Sequence, residues 1–147
     1  MFPENTFLPA ARVRLTDLRC ATLLSAALTR IPADVPPIST VTHVHLRKRA
    51  VIRDFAALTR YRYLEGERKG SIGRSDSGRQ TITFYTELLS QLSDSAALAV
   101  VAHELAHAWL NEHVEPEESE AREIQADQLA REWGFGRELD VLSDEVE

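Results

Sequence analysis

Sulfur is almost missing from this chain. With a single cysteine, Cys20, among 147 residues, neither an internal disulfide nor a cysteine-rich zinc module can form. A reducing, cytoplasmic setting is the expectation. No apolar run approaches the roughly 20 residues needed to cross a bilayer, so no membrane span is expected. The opening "MFPENTFLPAARVRLTDL" has no basic stretch followed by an uninterrupted apolar one, and no signal peptide is expected either. Repeats, low-complexity tracts and linkers are also lacking. One domain over residues 1–147 is the simplest organisation.

Charge is plentiful and unevenly placed. Residues 1–80 carry 14 Lys/Arg against 7 Asp/Glu, and residues 81–147 carry 3 against 16, for a net charge of −6. A basic half can signal nucleic acid or an acidic partner. No aromatic residues interleave a basic stripe, so nucleic acid is not expected. The simpler reading is a basic sheet surface facing an acidic helical surface.

Leu15, Leu18, Leu24 and Leu28 recur at helical spacing and predict an amphipathic helix over 14–30, ended by "IPADVPP". "STVTHVHLRK" alternates and is rich in β-branched residues, as a strand is. Residues 50–60 suit a short helix. "YRYLEGERKG" and "GRQTITFYT" read as strands, with turn chemistry in "RSDSG". Ser93 or Asp94 can cap a helix over "SDSAALAVVAHELAHAWLNEH", which is apolar nearly all round from Ala96 to Leu110 and should lie buried. Pro116 suits the first turn of another helix, "ESEAREIQADQLAREWGF", ending near Gly134 and Gly136. The order predicts an α+β fold with an N-terminal helix, a small mixed sheet, a buried central helix and a C-terminal helix bearing glutamates.

His103 and His107 are four residues apart and share one helix face. Two imidazoles at this spacing can bind zinc, and Glu104 beside them can reach a water on the metal. Two buried, hydrogen-bonded core histidines are the plainer alternative, but a pair flanking a glutamate in so apolar a helix is costly without a cation. A catalytic zinc takes three protein ligands. His113 is one candidate for the third, but on a continuing helix it is rotated about 240° from His107 and points away. Glu123 is the better candidate. It shares a face with Asp127, which can accept a ring N–H from His103 or His107 and orient it. Ile124, Ala126 and Leu129 predict the buried side of that helix.

These residues resemble the gluzincin peptidases, marked by H-E-x-x-H on one helix and a Glu four residues before an Asp on the next. "YTELLSQLSDSAALAVVAHELAHAWL" with "EIQADQLA" is most similar to the HtpX and CAAX-prenyl-protease branch, and the ImmA-type regulatory peptidases are a second relative. The likeness covers roughly residues 78–134 and is specific at His103, Glu104, His107, Glu123, Ala126 and Asp127. It implies a zincin-like fold, a Zn2+ cofactor and hydrolysis of peptide or protein substrates, with Glu104 as general base. This chain departs from the resemblance in having no membrane helices, and the C-terminal elements that often supply a transition-state donor are not expected. Tyr85, His113, Arg131 and Arg137 are candidates for that donor. The strand "GRQTITFYT" is expected at a sheet edge, where an extended substrate could pair.

Two other functions fit the same residues: a regulatory protease specific for one partner, and a zinc-stabilised binding module without turnover. His43 and His45 share a strand face and could form a weak second metal site, although surface residues of a basic strand explain them more simply. The acidic segment "ELDVLSDEVE" could dock across the cleft or against the basic half.

Overall fold

The computed structural model describes residues 6–47, 72–74, 80–114 and 119–146. The expectations for residues 50–60, for "YRYLEGERKG" and for Pro116 lie outside them.

Helix α1 spans Leu18–Arg30, four residues shorter at its start than the leucine spacing predicts. Asp17 is the reason: its carboxylate accepts the Cys20 N–H at 3.2 Å and caps the helix there. Leu18 is consequently 81% exposed, while Cys20, Leu23, Leu24 and Ala27 face the core. Burial, then the neighbouring Asp17, pushes the Cys20 thiol up to about 12, so it is inert as a nucleophile. Arg12–Arg14 forms a short strand, β1, which takes Arg14 from the expected helix and which the sequence did not predict.

Strand β2 is Val41–Arg47, β3 is Ile72–Arg74 and β4 is Gln80–Tyr85. The sheet order is β1-β2-β4-β3. β1 and β4 both run parallel to β2, and β3 runs antiparallel to β4, so the sheet is mixed as expected. The expectation that "GRQTITFYT" is an edge is overturned, because β4 has a hydrogen-bonded neighbour on each side. The burial of Gln80, Ile82, Thr83, Phe84 and Tyr85 fits this interior place, since a strand covered on both faces loses its polar alternation.

A short helix, α2 (Thr86–Leu89), leads into α3, Asp94–His113. Ser93, not Asp94, is the cap, its hydroxyl accepting the Ala96 N–H at 3.2 Å. From Ala96 to Ala108 every residue of α3 is buried, as its apolar surface requires. Helix α4 is Ser119–Ala130. A wide turn, Arg131–Phe135, follows, with Gly134 at φ +104, a backbone conformation that glycine adopts without a Cβ penalty. Trp133 and Phe135 anchor this turn in the core, and Trp133 meets Phe7 edge to face at 5.7 Å.

The chain then continues as α5, Gly136–Val146. The acidic segment is therefore a packed helix. Leu139 and Leu142 are buried, and α5 lies against α3. Its first turn meets the basic half at Arg30, whose Nη1 donates to Glu138 at 2.9 Å and whose guanidinium sits 4.4 Å from the Phe135 ring. That hydrogen bond holds the Glu138 carboxyl below its usual range. At the far end, Glu145 accepts the Ser93 N–H at 3.0 Å. Helix α3 thus runs through the middle of an α+β fold, with α1, α4 and α5 against it. Among the described residues no helix is long and apolar enough to cross a membrane.

Candidate metal centre

Two of the site's side chains come from one turn of α3. His103 and His107 are buried there, their rings 4.5 Å apart at 74°. The third comes from α4, whose inward stripe is Arg122, Ala126 and Ala130. The small alanines let the two helices approach, and Glu123 is carried beside the imidazoles. Ile124, expected on the buried side, is 57% exposed instead, because the stripe runs through Arg122 one helical step earlier.

His103 Nε2 lies 3.2 Å from Glu123 Oε1, and His107 Nε2 lies 3.8 Å from Glu123 Oε2. One ligand atom from each of the three residues falls within 4.8 Å of the others, a cluster able to hold a metal ion. On the other side of the ring, His103 Nδ1 donates to Asp127 Oδ1 at 2.7 Å. Once Nδ1 carries that proton, Nε2 turns a lone pair on the Glu123 carboxylate. A proton on Nε2 or a metal ion between the two groups satisfies that pairing. Burial, then the charges of His103 and Arg122, holds His107 well below its ordinary value and favours its neutral ring.

Glu104, between the two histidines, is fully buried. Arg122 was not foreseen as part of this region. It is buried next to Glu123 in sequence, its Nη1 donates to Gln125 Oε1 at 2.9 Å, and its charge is felt at His107. The available signal was its place four residues before Ala126 on a helix with few large apolar residues.

A polar network fixes the far half of α3 to the sheet. Gln80 is buried at the start of β4, and its Nε2 donates to Thr40 Oγ1 and to Ala108 O, both at 2.9 Å. Its Oε1 accepts Asn111 Nδ2 at 3.1 Å. Glu112 then accepts the Thr40 N–H at 2.9 Å, the Thr40 hydroxyl at 2.8 Å and the Ser39 N–H at 2.9 Å. Ala108 and Asn111 lie one and four residues beyond His107, so this network sets the depth of the histidine turn against the strands.

The remaining candidates lie elsewhere. His113 Nε2 donates to Pro37 O at 3.0 Å, its ring stacked on Trp109. Arg131 pairs with Asp140 at 3.0 Å, and Tyr85 is buried at the end of β4. Arg137 is exposed on α5. His43 and His45 engage hydroxyls, Thr42 Oγ1 and Thr83 Oγ1 respectively, each at 3.0 Å. Among the described residues the only metal-type cluster is His103, His107 and Glu123.

The model of peptidase family M48 matches residues 72–119 of this chain. The match points to a metallopeptidase. It takes in β3, β4 and all of α3 with His103, Glu104 and His107, and it stops short of Glu123 and Asp127. It covers less than half of the chain. No curated protein and no solved structure matches.

Proposed function

We propose that this chain is a zinc-dependent endopeptidase of the gluzincin type, built on a single zincin-like domain. The observation that carries the proposal is the convergence of His103 Nε2, His107 Nε2 and the Glu123 carboxylate on one point, with Glu104 on the same helical turn. Two ligand atoms on a tetrahedral zinc, each about 2.0–2.1 Å from it, lie about 3.3 Å apart. The separations here, 3.2 Å to Glu123 Oε1 and 3.8 Å to Oε2, with all three ligand atoms within 4.8 Å, are close enough for small side-chain shifts to reach that geometry. The donor set, two imidazoles and one carboxylate, is that of a catalytic zinc with a position left for water. Around the centre three carboxylates, Glu104, Glu123 and Asp127, stand against one guanidinium, Arg122, and a divalent cation makes up the difference.

Zinc bound there supplies a Lewis acid that polarises the scissile carbonyl and acidifies water. The residues of the chain do the rest. His103, His107 and Glu123 hold the ion. Asp127 fixes the His103 tautomer, so that Nε2 faces inward. Glu104 takes a proton from the attacking water at its carboxylate and delivers it to the leaving amine. The family match over α3 supports the same assignment.

The test is zinc per chain by elemental analysis, with hydrolysis of denatured casein as a second readout. About one zinc is expected in the wild type and in His113→Ala and Glu104→Ala, and none in Glu123→Ala. Casein should be cleaved by wild type and not by Glu104→Ala. Wild type that refuses zinc would sink the proposal. Full zinc without hydrolysis would leave a zinc-stabilised binding module, and cleavage confined to one protein partner would mark a regulatory peptidase.

A further inference from the structure

On the face of the sheet away from Val44 and Ile82, the β1 side carries a basic array that the metal centre does not use. Among the described residues β1 is an outer strand, and its register with β2 sets Arg12 beside His43 and Arg14 beside His45. The next strand sets Thr81 beside His43 and Thr83 beside His45. Side chains in register point to one face, so these two rows lie opposite Val13, Val44 and Ile82, which face the core. Exposure falls across the face: Arg12, Arg14 and His43 are exposed, His45 and Thr81 are half-buried, and Thr83 is buried.

Elsewhere, three exposed or half-exposed arginines are matched with carboxylates: Arg19 with Asp94, Arg30 with Glu138, Arg131 with Asp140; Arg137, among the described residues, is not. Among the described residues no ion pair forms at Arg12 or Arg14. Two guanidiniums on alternate residues of one strand sit about 6.6 Å apart and repel each other. An outer strand also offers backbone groups for pairing with another chain.

We propose that this face and the β1 edge dock an acidic, extended protein segment bearing carboxylates at alternate positions. Such a segment repeats its side chains at the same spacing of about 6.6 Å, which lets successive carboxylates meet Arg12 and Arg14 while its backbone adds to the sheet. Opposite charges placed directly across a strand pair stabilise the pairing. A nucleic-acid strand is the poorer fit, because no Phe, Tyr or Trp lies in the two rows to stack on its bases. The surface is formed by different residues from the metal centre, so its occupant need not be the peptide that is cut.

The test is fluorescence anisotropy with a labelled eight-residue peptide of alternating Glu and Thr, in a Glu104→Ala background so that the probe stays intact. Binding should weaken at least tenfold in Arg12→Gln/Arg14→Gln and with a Gln-Thr probe, and should be unchanged in the surface control Arg137→Gln. If the double variant melts early, Arg12→Gln and Arg14→Gln are compared singly. The proposal is overturned by no binding to wild type, by equal binding to the double variant, or by tighter binding of a single-stranded oligonucleotide. Zinc content and hydrolysis play no part in the readout, so its failure is separate from that of the peptidase reading.

Discussion

Asp127 Oδ1 stands 2.7 Å from His103 Nδ1, on the side of the imidazole away from Glu123. One carboxylate of α4 therefore sets the tautomer of a ring whose other nitrogen faces a second carboxylate of the same helix. Asp127→Asn keeps the shape and loses the charged acceptor. Zinc affinity should fall about 10–100-fold, read by competition with a chromogenic chelator. An unchanged affinity would show that Asp127 does not orient the ring.

Glu112 makes stability depend on pH. Burial pushes its carboxyl up, but the hydrogen bonds from Thr40 and Ser39, with the charge of His113, outweigh it and leave the group below its ordinary 4.5. A depressed carboxylate contributes stability that is fully present above about 4.5 and fades as pH falls through the lower folded value. The melting-temperature gap between wild type and Glu112→Gln should be widest near neutrality and should close in acid. A gap that stays constant with pH would remove the carboxylate from the account.

Gln80→Met keeps the length of the side chain and deletes its polar atoms. Asn111 Nδ2 and Thr40 Oγ1 lose a partner under α3, and the expected cost is about 1–3 kcal/mol in chemical denaturation. Because the network lies beside His107, zinc affinity should drop along with stability. Loss of stability with full affinity would confine Gln80 to the sheet.

Gly134→Ala tests the turn. Nothing lies within 4 Å of where a Cβ would stand, so crowding is no obstacle, and the cost comes from φ +104 alone. About 1–2 kcal/mol of destabilisation is expected. Gly136→Ala, in right-handed helical backbone, should be neutral or slightly stabilising by comparison.

The central helix was legible from residues 93–113 because capping and helical periodicity are local properties. The same holds for the spacing of His103 to His107 and of Glu123 to Asp127. What escaped depends on distant parts of the chain. Three residues of β1, two of them arginines, are too few to show a period, and the leucine pattern took the last of them, Arg14. Strand order decides whether β4 is an edge, and no stretch of β4 encodes its neighbours. Ile124 looked buried by hydropathy, yet the close approach of α3 favours the small Ala126 and Ala130 on that side and leaves the isoleucine outside. The partners of Gln80 and Glu112 lie 28 to 73 residues away, beyond any local pattern.

The return of α5 onto α3 has a consequence for synthesis. Helix α3 is apolar almost all round, and α5, which packs on it with Leu139 and Leu142 buried, is made some thirty residues after His107. Until then a nascent chain exposes part of its stickiest helix, even after the helix that carries Glu123 has been made. Such intervals are when newly made chains aggregate or meet chaperones. A stall before Leu139 would thus release a fragment with every residue of the metal cluster present and no lid over the helix that holds it.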